Sequence, residues 1–137
     1  LRFGGKIAPT SGRPIDAMVT VTAVASDCWQ SFGPAQAPLG DCAAIRIGGI
    51  DVVLITNRTQ ALGLELFTNL GIDPRTKKLV LVKSTNHFMA AFGPIASRVM
   101  YIDSDGPIPR DYRKVPYTRV NRPIWPLDQE TSPGLIL

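Results

Sequence analysis

The chain has 137 residues, 45% of them hydrophobic and 19% charged, and 15 basic against 11 acidic side chains give a net charge of +4. This composition excludes an intrinsically disordered chain and predicts a single domain over residues 1–137 that buries roughly two-thirds of its unfolded surface. No apolar run approaches the ~20 residues of a membrane span, and the basic residues form no block. We therefore expect neither a membrane nor a nucleic-acid partner.

Strand and turn signals fill the first half of the chain. Residues 18–24 alternate between apolar and polar side chains, which is typical of a half-buried strand. Residues 27–41 contain several glycines and prolines and are predicted to form a long loop. Two apolar runs, 43–47 and 50–55, flank Gly48-Gly49, and this pattern predicts a β-hairpin with a tight turn.

Helix and strand signals then alternate. Residues 60–70 carry an apolar stripe and predict a helix, 79–82 predict a buried strand, and 88–99 predict a second helix that Pro94 should break. A further strand is predicted at 99–102. The order of elements favours an α/β fold, with a mixed β-sheet that contains the Gly-Gly hairpin and two main helices packed on it.

The C-terminal part of the chain changes in character. Six of the twelve prolines lie between residues 107 and 137, which predicts an irregular, proline-rich strap. Within it, Arg122, Trp125 and Asp128 form a basic–aromatic–acidic series. These three residues either contact another domain or fold back on their own unit, and the sequence leaves both readings open.

The densest group of functional side chains follows the predicted strand at 79–82. Lys83, Ser84, Thr85 and His87 stand where a strand would lead into a helix, and His87 is the only histidine. Such positions in α/β sheets collect ligands, because helix N-termini present unpaired N–H groups. The group suggests recognition of an anion or a carbonyl; the alternative for Ser84 and Thr85 is helix capping.

A second set of polar residues ends the strand at 50–55. If that strand and 79–82 were parallel neighbours, Thr56, Arg58 and Lys83 would share one edge of the sheet and form a basic rim. No third residue completes a Ser84–His87 pair, so no residue of this chain is predicted to be catalytic. With a single histidine, no metal site is predicted either.

Cys28 and Cys42 are the only cysteines and flank the predicted loop at 27–41. They could close that loop with a disulfide, or they could remain free and partly buried thiols. The sequence does not decide between these two states.

Five segments together resemble the C-terminal domain of the MlrC-type (microcystinase C) metallopeptidases, and they occur in the same order through most of the chain. The strongest is Lys83-Ser84-Thr85-Asn86-His87-Phe88, which resembles the family's Lys-Ser-Ser/Thr-x-His-Phe motif. The segments are residues 1–6, 48–58, 60–74, 82–96 and 122–128. The chain departs from the family pattern at Met89, where arginine is common, and at Gly63-Leu64.

The resemblance implies an α/β domain that follows a larger N-terminal domain in the same polypeptide. That domain would bind zinc and carry the peptidase or amide-hydrolase chemistry, while this chain alone would be inactive. Lys83, Ser84 and His87 would line the cleft that the two domains share, together with Thr56 and Arg58. The substrate would be a peptide or another small amide. The expected location is the cytoplasm with export left open, and assembly into a homo-oligomer is also left open.

Two other functions stay open on the residues alone. The chain could be a stand-alone module that binds an anionic ligand through Arg58 and Lys83, without catalysis. It could also be a structural or oligomerising domain with an apolar surface around Trp29, Phe32 and Trp125.

Overall fold

The computed structural model of the chain describes residues 1–8, 11–103 and 111–128. It divides into two compact units, one with residues 1–3 and 15–100 and one with residues 4–14 and 101–137. The expected single domain over 1–137 stays a prediction. Within the described ranges, no helix has the length and apolar character that a membrane span requires.

The first unit is built on antiparallel strands. A small sheet pairs β1 (Arg2–Phe3) with β2 (Ile15–Asp16). The main sheet has the order β3 (Thr20–Phe32), β4 (Ala35–Ile47) and β5 (Ile50–Ile55). With short helices beside these sheets, the predicted α/β class is confirmed in its coarse form.

β4 and β5 are joined at Gly48-Gly49, where Ile47 lies opposite Ile50 in the antiparallel register. Gly48 has a φ of 57°, a left-handed conformation that a residue without a Cβ adopts at little cost. The pairing continues to Cys42 opposite Ile55, so the ladder spans the whole of β5.

The prediction of a loop over 27–41 is wrong. These residues belong to the long hairpin of β3 and β4, in which Phe32 lies opposite Ala35. Gly33, with a φ of 58°, occupies the turn of this hairpin. Asp27 and Gly40 have φ values of 52° and 71° and lie beside the irregularities where the register shifts. Positive φ at such bulges lets one strand hold an extra residue while the ladder continues.

The helices are much shorter than predicted, and two predicted strands do not form. In place of a helix over 60–70 there is one turn, α1 (Glu65–Thr68), and the second helix is α2 (Met89–Phe92). The break predicted at Pro94 is present, since the 3₁₀ turn Gly93–Ile95 follows α2 directly. Residues 79–82 and 99–102 are not paired in a ladder. Another 3₁₀ turn is Pro74–Thr76.

Two apolar clusters stabilise the first unit. The first lies on the main sheet and buries Cys28, Leu39, Cys42, Ala44, Leu70 and Ile72. The second buries Ala61, Phe88 and Phe92, and partly buried residues of α1, α2 and the segment 80–82 pack against it. Leu66 and Phe67, both partly buried on α1, pack against the two clusters at once.

In the second unit, the described part of the predicted strap holds one 3₁₀ turn, Tyr112–Lys114, and otherwise no regular structure. The prediction of a strap over 107–137 falls partly on residues 107–110 and 129–137, which lie outside the described residues.

Candidate functional site

A buried glutamine organises the region around the predicted site. Gln30, near the end of β3, has no exposed surface, and its Nε2 donates to the Gln60 carbonyl at 2.8 Å. Its Oε1 accepts from the backbone N–H groups of Leu62 at 2.9 Å and Gly63 at 3.2 Å. One side chain therefore satisfies three backbone groups of a segment that has no regular structure.

β3 is an edge strand of the main sheet, and two side chains from the region of α1 bond to its free edge. The Glu65 carboxylate accepts from the Ser31 backbone N–H at 3.1 Å and from the Ser31 hydroxyl at 3.0 Å. Asn69 Nδ2 donates to the Trp29 carbonyl at 2.8 Å. These bonds take the place of a neighbouring strand at an edge that would otherwise expose its backbone groups.

The ionisation of Glu65 reflects this position. Partial burial acts to raise the pKa of its carboxyl, but the hydrogen bonds from the Ser31 backbone, its own backbone N–H and the Ser31 hydroxyl outweigh burial. The net effect is a lowered pKa, so the carboxylate accepts these bonds in its ionised form at neutral pH.

The segment that carries the predicted site residues is attached to this framework. Ala61 N donates to the Lys83 carbonyl at 3.3 Å, and the Ser84 hydroxyl donates to Gln60 Oε1 at 3.1 Å. The His87 ring meets the Phe32 ring edge-on, with centroids 5.1 Å apart and planes at 86°. Residues 83–87 are thus held between the segment beside Gln30 and the tip of the β3–β4 hairpin.

Within that segment the charged and titratable groups face solvent. Lys83 and His87 are both exposed, and among the described residues Lys83 forms no ion pair. An exposed ammonium and imidazole four positions apart in the sequence can donate to the carbonyl or carboxylate of an approaching molecule.

The capping alternative for Ser84 and Thr85 is wrong. α2 begins after Phe88, which makes no side-chain cap bond, and its four residues are too few to give an N-terminal anion site. The Ser84 hydroxyl bonds to Gln60 instead, and the buried residue at the start of α2 is Phe88, at 7% exposure.

Thr56 and Arg58 do not form the predicted rim. Thr56 follows β5 and continues alongside β4, donating from its backbone N–H to the Asp41 carbonyl at 3.1 Å and from its hydroxyl to the Leu39 carbonyl at 3.5 Å. Arg58 is exposed beyond it. The parallel neighbour that would place Lys83 on the same edge does not exist, since residues 79–82 are not a strand.

The predicted interface residues lie in the second unit. Arg122 Nη2 donates to Asp128 Oδ1, and the Ile124 backbone N–H donates to Asp128 Oδ2 at 2.6 Å. These bonds, the backbone one first, lower the pKa of the Asp128 carboxyl. Trp125 is 59% exposed and lines an apolar cavity of about 280 Å³. The other lining residues are Tyr112, Tyr117, Val120, Ile124, Pro126 and Leu127.

Possible metal ligands do not gather in the described part of the chain, where no three histidine, cysteine, aspartate or glutamate residues lie close enough to hold an ion. Cys28 and Cys42 are buried free thiols, which answers the question that the sequence left open. Burial and a hydrogen bond with Cys28 raise the pKa of the Cys42 thiol to about 12. The resemblance places the zinc in the N-terminal domain, and two thiols without further ligands do not make a zinc site in the described part of this chain.

Sequence reasoning missed three residues that hold the site together. Gln30 lies inside the predicted loop, Gln60 begins the predicted helix, and Phe32 is predicted only to contribute apolar surface. No spacing signal marks a glutamine that bonds to backbone groups more than thirty residues away, as Gln30 does to Leu62 and Gly63.

Two comparisons with known proteins show which family the sequence resembles. The family model described as "MlrC C-terminus" matches residues 1–119. The chain is also similar to Microcystinase C from a Sphingomonas species, with 31% identity over 128 residues. That match covers 93% of this chain and 24% of the relative, so the chain spans about a quarter of the length of the protein it resembles.

Proposed function

Because this chain belongs to the family of MlrC C-terminal domains, we propose that it is the C-terminal domain of a zinc-dependent metallopeptidase or amide hydrolase. Its part is to complete the substrate cleft of an N-terminal catalytic domain in the same polypeptide. The observation that carries the proposal is the similarity to Microcystinase C over 93% of this chain but only 24% of that protein. Most of such a protein lies outside the matched region.

The exposed side chains of residues 83–87 supply the cleft-lining role. Lys83 and His87 face solvent, while Ser84 and the Lys83 carbonyl are tied to Gln60 and Ala61. A held backbone with free donor groups suits the recognition of a peptide, whose carbonyls and carboxylates accept hydrogen bonds. Zinc, when bound by the N-terminal domain, would supply a Lewis acid and an activated water.

The test uses the longer protein that carries this chain, with peptide substrates and microcystin-derived peptides first because of the relative's name. Lys83→Ala and His87→Ala should each lower kcat/KM at least tenfold while the melting temperature stays unchanged. Lys78→Ala, an exposed lysine outside the site, is the matched control. Full activity in both site variants would overturn the cleft-lining role.

Zinc analysis tests the division of labour between the two parts. The longer protein should contain stoichiometric zinc by elemental analysis, and the 137-residue chain should contain none after dialysis. Tight stoichiometric zinc in the isolated chain would contradict the proposal.

A second candidate, a stand-alone anion-binding module, has one observation in its favour. Arg58 and Lys83 are exposed, and neither forms an ion pair among the described residues. Calorimetric titration of the isolated chain with inorganic phosphate would distinguish the two. Binding that weakens with salt and is lost in Lys83→Ala would favour the module, since charge-driven binding is screened by ions.

A further inference from the structure

We infer that Gln30 and Gln60 are positioning residues, which fix the orientation of Lys83–His87 through a relay of hydrogen bonds from the core of the hairpin. The inference rests on the proposed function in that it concerns the same cleft-lining segment. It assigns a specific task to two glutamines that neither the sequence pattern nor the family resemblance marks.

The relay begins at a side chain that cannot move freely. Gln30 is fully buried, and all three of its bonds go to the backbone of residues 60–63, at 2.8, 2.9 and 3.2 Å. A buried amide with satisfied donors and acceptors rigidifies its surroundings, because each alternative position leaves polar groups unpaired. The backbone of residues 60–63 is therefore fixed relative to β3.

The second step leads from this backbone to the site. Gln60 receives the Gln30 bond on its carbonyl and the Ser84 bond on its side chain, so one residue links the buried and the exposed ends. Ala61 adds a backbone bond to the Lys83 carbonyl. The segment that holds Lys83 has no ladder of its own, so these bonds do what strand pairing does elsewhere.

The third contact makes the relay measurable. His87 packs edge-on against Phe32, whose position on β3 lies two residues beyond Gln30. Because the chain has a single histidine, its imidazole protons give one isolated set of NMR signals. The ring current of Phe32 displaces those signals only while residues 83–87 keep their place.

The experiment compares the His87 imidazole signals of the 137-residue chain in five variants. Phe32→Leu removes the ring current and sets the reference position. In Gln60→Met, which changes an exposed side chain, the signals should move most of the way to that reference. Gln60→Glu keeps an acceptor for the Ser84 hydroxyl and should restore the wild-type position. Gln30→Met should act like Gln60→Met, and Gln36→Met, an exposed glutamine on β4, should change nothing.

The positions of the His87 signals in these variants decide whether the relay exists. Wild-type signals in Gln60→Met would overturn the relay, and so would equal shifts in Gln60→Met and Gln60→Glu, because the hydrogen bond would then not be the cause. If Gln30→Met fails to fold, the two Gln60 variants still give the answer. In the longer protein, Gln60→Met should lower kcat/KM about tenfold, with most of the loss recovered in Gln60→Glu. If Gln60→Met loses the Phe32 ring-current shift while Lys83→Ala keeps full activity, the relay is supported and the proposed function fails. The two failures are therefore distinguishable.

Discussion

The two apolar clusters of the first unit are supported in different ways. The first lies on three strands whose backbone groups pair with one another, so its shape is set by the ladder. The second packs under segments without a ladder, and side chains such as Gln30 satisfy the backbone there. A sheet-based cluster should therefore tolerate loss of one polar side chain, whereas the second cluster depends on a few.

The largest effect should come from emptying the second cluster itself. Phe92 is 5% exposed and meets Phe67 edge-on at 6.0 Å. Phe92→Ala should lower the free energy of unfolding by about 3–5 kcal/mol, through lost burial and a residual cavity. Urea denaturation measures it, with the 41% exposed Met89→Ala as control. Equal losses in both variants would show that the second cluster is not a packed core.

Loss of the buried amide should be nearly as costly. Gln30→Met leaves the N–H groups of Leu62 and Gly63 and the Gln60 carbonyl without their partner. With unsatisfied buried groups costing about 1–3 kcal/mol each, we expect a loss of about 3 kcal/mol or more in urea denaturation. Gln36→Met should cost little. A Gln30→Met protein as stable as the wild type would remove the contrast between the clusters.

A steric test addresses the close approach of residue 63 to β3. A Cβ at Gly63 would lie 2.8 Å from Ser31 N and 2.9 Å from Ser31 O, and would also collide with the Glu65 carboxylate. Gly63→Ala should therefore destabilise by about 2 kcal/mol, as overpacking does. Thermal unfolding compares it with Gly49→Ala, where a Cβ meets nothing within 4 Å. A neutral Gly63→Ala would mean that residues 60–65 move away from β3 easily.

The smallest effect concerns an ion-pair group at the main sheet and depends on pH. Hydrogen bonds from Arg46 at 2.7 Å and Lys77 at 2.8 Å lower the pKa of the Asp51 carboxyl to about 2. Because the folded-state pKa is lowered, the stabilisation is complete above the unfolded value near 4 and is lost as pH falls to about 2. Asp51→Asn should flatten the stability profile in this window. An unchanged profile would show that these ion pairs contribute nothing measurable.

The sequence predicted those parts of the fold that depend on neighbouring residues. The hairpin pattern around Gly48-Gly49 and the break at Pro94 are local, and the structure has a turn and a break at those places. The longer hairpin over 20–47 escaped prediction because Gly33 and Gly40 resemble loop signals. In the structure they fill a turn and a bulge, which only strand pairing reveals.

The prediction of a helix over 60–70 is wrong for a different reason. Its apolar stripe is real, since Leu62, Leu66 and Leu70 are at least partly buried. However, the Gln60 carbonyl, which an α-helix would pair with the Leu64 N–H, accepts from Gln30 Nε2 instead. A distant side chain overrode the local periodicity, and the same side chain decides how residues 83–87 are held.

The short helix α1 has a consequence for how the first unit melts. Leu66 and Phe67 pack against both clusters, so neither cluster can lose its order while the other keeps all its partners. A protease that samples partly opened molecules should find few sites cleaved early within residues 15–100. Heat should then abolish the ring-current displacement of the His87 signals and the sheet together, at one temperature, as a single cooperative event.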